Sequence, residues 1–160
     1  MSELKATKKE LTPELVSMRE YLEEERRYFK DRVFYSRKHT WARLTPEFNV
    51  RVGLSEYALR RYLKDLAKIY CEKDGTTIRI LEPFGVAETW MLMFDLYSPI
   101  AGKIVKVNNE AMENTENIDS ATWLIEVHPL GHSALMKELE ESMTLEEYGK
   151  YTASVEGRTE

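Results

Sequence analysis

Two histidines and one cysteine are the side chains whose types could support metal binding or nucleophilic catalysis. His128 and His132 are four residues apart, a spacing that would bring both rings to one face of a helix, where they could bind a metal ion. Pro129 and Gly131 disfavour that helix, and no acidic or cysteine ligand has a helpful spacing. Cys71 lies in a predicted strand, where a lone cysteine is more often part of the packing than a nucleophile. We therefore expect no metal site and no enzymatic activity.

The apolar segment of residues 85–102 is a stronger candidate for a functional site. It begins after the turn signal Pro83-Phe84-Gly85 and ends through Tyr97-Ser98-Pro99. A nearly unbroken apolar run, Trp90 to Phe94, is followed by a second, β-branched run between Ile100 and Val107. The simplest structure with this pattern is a hairpin.

Residues 88–102, E-T-W-M-L-M-F-D-L-Y-S-P-I-A-G, resemble the E-S-V-K-A-A-S-D-V-Y-A-P-V-S-G segment of glycine cleavage system H proteins. In that family the lysine carries lipoate at the tip of a hairpin. When the two segments are matched at Asp95, Tyr97, Pro99 and Gly102, the lysine position falls on Met91. A thioether cannot be acylated to an amide, so the resemblance implies a member without attached lipoate and therefore without its usual cofactor.

Another register does not restore a carrier lysine. The A-M-K-M pattern of biotin carriers, set against residues 90–93, places Leu92 at the lysine position. No lysine lies between Lys73 and Lys103, so a slip of one or two residues also fails. The sequence therefore predicts that this hairpin is not a mobile cofactor mount.

The predicted binding surface is this tip, whose candidate residues are Glu88, Trp90, Met91, Leu92, Met93 and Phe94. Large exposed apolar groups usually mark an interface, so the tip could contact another protein or a second copy of this chain. Two alternatives stay open: an N-terminal helix that folds back over the tip, and a hairpin whose turn has shifted.

Further matches in the same order extend the resemblance over about residues 35–152. Residues 35–41 resemble Y-S-x-x-H-E-W, residues 49–55 resemble V-x-V-G-I-T, and residues 123–127 resemble W-L-I-K-I. His39 matches a family histidine near the docking cleft of the lipoyl arm, so it could line a leftover groove or have a structural role beside Trp41. Short helices are expected after Ser55 and after the capping box that begins at Thr144.

The implied fold is mainly β with some helix (α+β), a lipoyl or H-protein-like barrel-sandwich hybrid of two small antiparallel sheets with short C-terminal helices. An N-terminal extension, residues 1–34, precedes the domain of residues 35–152, and a polar tail, residues 153–160, follows it. Thr12-Pro13-Glu14 is a helix start signal. A helical stripe follows at Leu15, Met18, Leu22, Phe29 and Val33, so the extension is predicted to form an amphipathic helix.

Composition limits the partners and the compartment. The net charge of −5 argues against nucleic acid, whose phosphates require a basic surface. One cysteine and the lack of a long apolar run indicate a protein of the cytoplasm that does not associate with membranes. The acidic residues between Glu138 and Glu147 are a solvated helix face or a docking patch for a basic partner.

Two functions follow from these features. The first is a non-lipoylated H-protein-like protein that acts by protein contacts and regulates or scaffolds a lipoate-dependent system such as glycine cleavage. The second is an H-protein-type carrier of an aminomethyl group, with lipoate attached elsewhere or bound non-covalently. Glycine cleavage or other lipoate-dependent enzymes are the expected partners in both cases, and a homo-oligomer is the other association the tip could support.

Overall fold

A computed structural model of the chain describes residues 32–159. Apart from Arg32, these residues belong to one compact unit that begins at Val33. The predicted N-terminal amphipathic helix falls almost entirely on residues 1–31 and so lies outside the described residues.

Strands of alternating or continuous apolar residues form the framework of this unit. Those in the described residues are β1 (Phe34–Tyr35), β2 (Thr40–Leu44), β3 (Val50–Leu54), β4 (Leu66–Cys71), β5 (Thr77–Ile78), β6 (Gly85–Thr89), β7 (Met93–Leu96), β8 (Gly102–Val107) and β9 (Trp123–Pro129). They build a six-stranded sheet in the order β1-β2-β3-β9-β8-β5 and a three-stranded sheet in the order β4-β6-β7. All pairings are antiparallel, as the sequence predicts.

The core of the six-stranded sheet comes from the inward positions of β3 and its neighbours. Val50 and Val52 on β3 are fully buried and lie opposite Val127 and Ile125 on β9. Between β3 and β2, Gly53 leaves room for the Trp41 ring, since a Cβ at this position would collide with that ring. The Trp41 indole Nε1 donates to the Leu54 carbonyl at 3.0 Å. Burial of these apolar side chains is the main force that holds the sheet together.

Four α-helices and one 3₁₀ turn occur in the described residues. They are α1 (Glu56–Arg61), α2 (Asn109–Glu113), the 3₁₀ turn (Thr115–Asn117), α3 (His132–Glu141) and α4 (Leu145–Thr159). No helix in residues 32–159 combines the length and apolar character needed to cross a bilayer.

The two helix caps predicted within residues 32–159 are present. Ser55 Oγ accepts from the Ala58 amide at 3.0 Å and caps α1. At α4, the Thr144 amide donates to Glu147 Oε1 at 2.9 Å, and the Glu147 amide donates to Thr144 Oγ1 at 3.2 Å. This reciprocal pair is the capping box that the sequence predicts. The helix is longer than expected, because α4 continues to Thr159 through residues assigned from sequence to a polar tail.

The central hairpin differs from the one suggested by the apolar pattern alone. That pattern paired the run Trp90–Phe94 with the run after Gly102, but β7 and β8 lie in different sheets. The observed hairpin joins β6 to β7, and residues 90–92 are its connection. An unbroken apolar run favours a buried strand, and here it spans a turn and a strand with one exposed face. The pairing suggested by the pattern is therefore wrong, and Met91, where the resemblance implies the lysine, lies in the turn between β6 and β7.

Candidate functional site: the hairpin tip

A tight turn held by one threonine forms the end of the β6–β7 hairpin. The Thr89 amide donates to the Leu92 carbonyl at 2.9 Å. Thr89 Oγ1 also accepts from the amides of Met91 and Leu92, each at 3.1 Å. Because these bonds use only the threonine hydroxyl and the backbone, the side chains at the turn are not needed to hold it.

The turn presents large apolar side chains to solvent. We call Trp90, Met91, Leu92, Met93 and Phe94 the apolar tip. The exposed fractions are 80% for Trp90, 75% for Met91, 37% for Leu92 and 65% for Met93. Contiguous exposed side chains of this size are uncommon on a monomer surface outside interaction sites.

Phe94 is the member of the apolar tip that packs inward. It lies opposite Ala87, which is fully buried, on the inner face of the small sheet. Its ring stacks on Tyr62, at the C-terminal end of α1, with 5.4 Å between centroids and an interplanar angle of 29°. Phe94 therefore anchors the hairpin, while Trp90, Met91 and Met93 form its accessible surface.

Glu88 belongs to the outer face of the small sheet. It lies between Lys68 on β4 and Met93 on β7 in the antiparallel register, and it is half-buried. Lys68, Glu88 and Met93 therefore lie side by side across this face, and the row ends at the exposed thioether of Met93.

His39 lies in an aromatic cluster between β2, α1 and α4. Its ring contacts Tyr57, Tyr62, Tyr148 and Tyr151, with centroid distances from 4.9 to 6.2 Å. The surroundings predicted from sequence differ, because Trp41 packs against Gly53 and these tyrosines surround His39 instead. Tyr62 lies between His39 and the apolar tip, because its ring meets both Phe94 and His39.

Hydrogen bonds connect His39 to the two helices that cover it. His39 Nδ1 and Tyr148 Oη are 2.7 Å apart, and Tyr148 Oη is 2.7 Å from Ser55 Oγ. A donor order that satisfies all three runs from the Ser55 hydroxyl to Tyr148 and from the Tyr148 hydroxyl to a neutral His39. Burial, followed by the nearby Lys38 charge, lowers the pKa of His39 from 6.5 to about 4. Burial also raises the pKa of Tyr148 above its usual range. The network was missed from sequence because Tyr148 is 109 residues from His39 and leaves no local pattern.

The other candidate side chains do not converge on a reactive centre. His128 lies on β9, where Nδ1 is 2.9 Å from Asn49 Oδ1, and His132 begins α3, so no helix places them together. Within residues 32–159, no group of three histidine, cysteine or acidic side chains is arranged to hold a metal ion. Burial raises the pKa of the Cys71 thiol to about 12, which keeps it protonated and a poor nucleophile.

The acidic residues of α3 include one with a structural contact. Glu138 Oε1 accepts from the Ala101 amide at 3.2 Å and so ties α3 to the loop before β8. Burial raises the pKa of Glu138. Glu140 and Glu141 are exposed, as expected for a solvated helix face.

The residues at the tip do not fit covalent lipoate. The attachment requires an amine at the outermost position of the hairpin, and the side chains at the turn are an indole, a thioether and an isobutyl group. The chemistry available to this surface is apolar contact, with a polarisable sulfur on each exposed methionine.

The sequence and the fold of this chain are similar to those of H proteins of the glycine cleavage system. A family model described as glycine cleavage H-protein matches residues 33–155. The glycine cleavage system H protein of Geobacillus sp. (strain WCH70) is 33% identical over 118 residues, which cover 71% of this chain and 88% of the relative. That of Bacillus pumilus is 34% identical over 122 residues, 74% of this chain and 91% of the relative. The crystal structure of a glycine cleavage system H protein from Mycobacterium marinum has a TM-score of 0.64 and 28% identity, covering 76% of this chain and 96% of that chain.

Proposed function

Because this chain belongs to the glycine cleavage H-protein family, we propose that it works without attached lipoate and acts through protein contacts made by the apolar tip. In this role it regulates or scaffolds a lipoate-dependent system of the cytoplasm, such as glycine cleavage. It does so as a binding protein and not as a catalyst.

The observation that carries the proposal is the side chain of Met91, which lies in the turn of the hairpin. The resemblance places the family lysine at Met91, and Met91 lies in the β6–β7 turn with 75% of its surface exposed. A partner of H proteins could thus recognise the shape of this hairpin, but the Met91 side chain cannot form the amide that attaches lipoate.

The neighbours of Met91 support binding rather than simple loss of the carrier function. Trp90 and Met93 are large, apolar and mostly exposed, although nothing in the hydrogen bonding of the turn requires such residues. Aromatic residues and methionine are enriched in protein interfaces, where each buries a large apolar area. A tip of this composition fits a partner surface with an apolar recess.

Direct binding to purified glycine cleavage enzymes from the same organism tests the proposal. The test variant carries Trp90→Ser, Met91→Ser and Met93→Ser, and it keeps Phe94 because that ring packs on Tyr62. A matched control removes three equally exposed leucines from other surfaces, Leu81→Ser, Leu130→Ser and Leu145→Ser. Circular dichroism confirms that both variants are folded.

We expect wild type and the leucine control to retain at least one enzyme and the tip variant to lose it. Equal retention by all three proteins, or retention by none, would overturn the proposal. Two measurements distinguish the proposal from the alternative carrier function. One is the intact mass of the protein isolated from its native cells, and the other is an analysis of the small molecules that it releases on denaturation. That alternative requires a lipoyl adduct or released lipoate, and the proposal requires neither.

A further inference from the structure

Two methionines of the apolar tip differ in accessibility from the other methionines that the structure describes. Met91 and Met93 are 75% and 65% exposed, whereas Met136 is 7% exposed inside α3. Met112 and Met143 are half-buried. The thioethers at the tip are thus the ones that a dissolved oxidant reaches most easily.

Oxidation at the tip would not break the contacts that hold the hairpin. The turn is closed by Thr89 and backbone amides, and the anchoring ring is Phe94. Met91 and Met93 can therefore become polar without leaving a cavity or an unpaired buried group. A sulfoxide at Met136 would have to be accommodated in the core.

We propose that Met91 and Met93 form a paired oxidation site, at which hydroperoxides convert the apolar tip into a polar surface. In each step the peroxide O–O bond breaks and one oxygen atom is transferred to the thioether sulfur. The sulfur loses two electrons and becomes a sulfoxide, and the hydroperoxide is reduced to water or to an alcohol. Methionine sulfoxide reductases reverse the step with electrons from thiols.

The consequence follows from the change in polarity. A sulfoxide is polar and accepts hydrogen bonds, so its transfer into an apolar recess is unfavourable. Oxidation is therefore expected to weaken whatever apolar association the tip makes. The release of a protein partner rests on the proposed function, whereas the site and its change in polarity do not.

The experiment treats the full-length protein with limiting hydrogen peroxide and measures the oxidation rate of each methionine by peptide mass spectrometry. We expect Met91 and Met93 to react at least about tenfold faster than Met136, with Met112 and Met143 between them. Hydrophobic-interaction chromatography of the intact protein then reports surface polarity. Oxidised wild type should elute earlier than untreated wild type.

A variant with Met91→Leu and Met93→Leu is the control. Met1 and Met18 lie outside the described residues, and their oxidation affects this variant and wild type equally. If peroxide shifts the elution of this variant less than that of wild type, the difference between the two shifts is due to oxidation of Met91 and Met93. Equal rates at Met136 and the tip methionines, or equal elution shifts in both proteins, would overturn the proposal. A shift confined to wild type, together with no binding to glycine cleavage enzymes, would keep the oxidation site and refute the proposed function.

Discussion

Met91 lies in the turn of the β6–β7 hairpin, where the family resemblance implies a lysine. The difference between the two side chains is chemical and not conformational, because the turn is closed by Thr89 and the backbone. A lysine at this position would extend into solvent without repacking its neighbours.

Met91→Lys should therefore restore an acceptor for lipoate. We expect a lipoate ligase with lipoate and ATP to modify this variant, while wild type stays unmodified. Met93→Lys is the matched control, since it adds an equally exposed lysine on the strand and not at the apex. Intact mass measures the result. Modification of both variants, or of neither, would contradict the assignment of Met91 to the carrier position.

Thr89 is the second residue whose role can be tested separately, because its hydroxyl group can be removed with little change in shape. Thr89→Val removes the acceptor of the Met91 and Leu92 amides while keeping the shape of a mostly buried side chain. We expect a loss of about 1 kcal/mol in the free energy of unfolding, measured with urea. Hydrogen exchange at the two amides should also become faster.

Thr89→Ser keeps the hydroxyl and should retain most of the stability and the slow exchange. If Thr89→Val exchanges as slowly as wild type at both amides, the turn is held by other contacts and this account of the hairpin is wrong.

At the scale of elements, His39 joins β2 to α1 and α4 through Tyr148 and Ser55. Burial and then the nearby Lys38 charge disfavour the charged imidazole and lower the pKa of His39, so the ring is neutral at neutral pH. His39 also has a φ of 74°, a left-handed conformation that is uncommon for residues other than glycine but that asparagine, aspartate and histidine adopt more often than most.

This network makes stability depend on pH in a defined direction. The pKa of His39 is 6.5 in the unfolded chain and about 4 in the folded protein, so the unfolded state binds the proton more readily between these pH values. The contribution of His39 to the free energy of unfolding is fully present above pH 6.5 and is lost as the pH falls toward 4. We expect it to decrease by about 2 kcal/mol between about pH 7 and about pH 5.

Urea unfolding of wild type and His39→Asn at both pH values measures the effect. Asparagine tolerates the positive φ but does not titrate in this range. The variant should be less stable at neutral pH and should lose less stability on acidification. Parallel pH profiles for the two proteins would contradict a neutral, hydrogen-bonded His39.

Local signals predicted the elements best. Ser55 and the Thr144–Glu147 pair both cap helices as their residue types indicate. The dipeptide Asp74-Gly75 is typical of turns and forms one, with Gly75 at a φ of 91°, but this turn leads from β4 in one sheet to β5 in the other. Adjacent residues determine whether a turn forms, whereas the sheet that a strand joins depends on strands far away in the sequence.

At the scale of the whole molecule, the two antiparallel sheets and the family follow from motifs distributed over residues 35–152. The resemblance located Met91 at the tip, although the apolar run alone suggested a different hairpin. The aromatic surroundings of His39 could not be predicted, because they combine residues from both ends of the domain. The N-terminal helix predicted from residues 12–33 stays a prediction, as does its alternative role as a cover for the apolar tip.

In the proposed function, the apolar tip occupies, without lipoate, a site that a lipoylated carrier uses. Glycine cleavage reconstituted with a lipoylated H protein tests it most directly. Turnover is measured while wild type, the Trp90→Ser, Met91→Ser, Met93→Ser variant or the leucine control is added. The account predicts a concentration-dependent decrease in turnover with wild type and the leucine control and no decrease with the tip variant. Unchanged turnover at a large excess of wild type would contradict it.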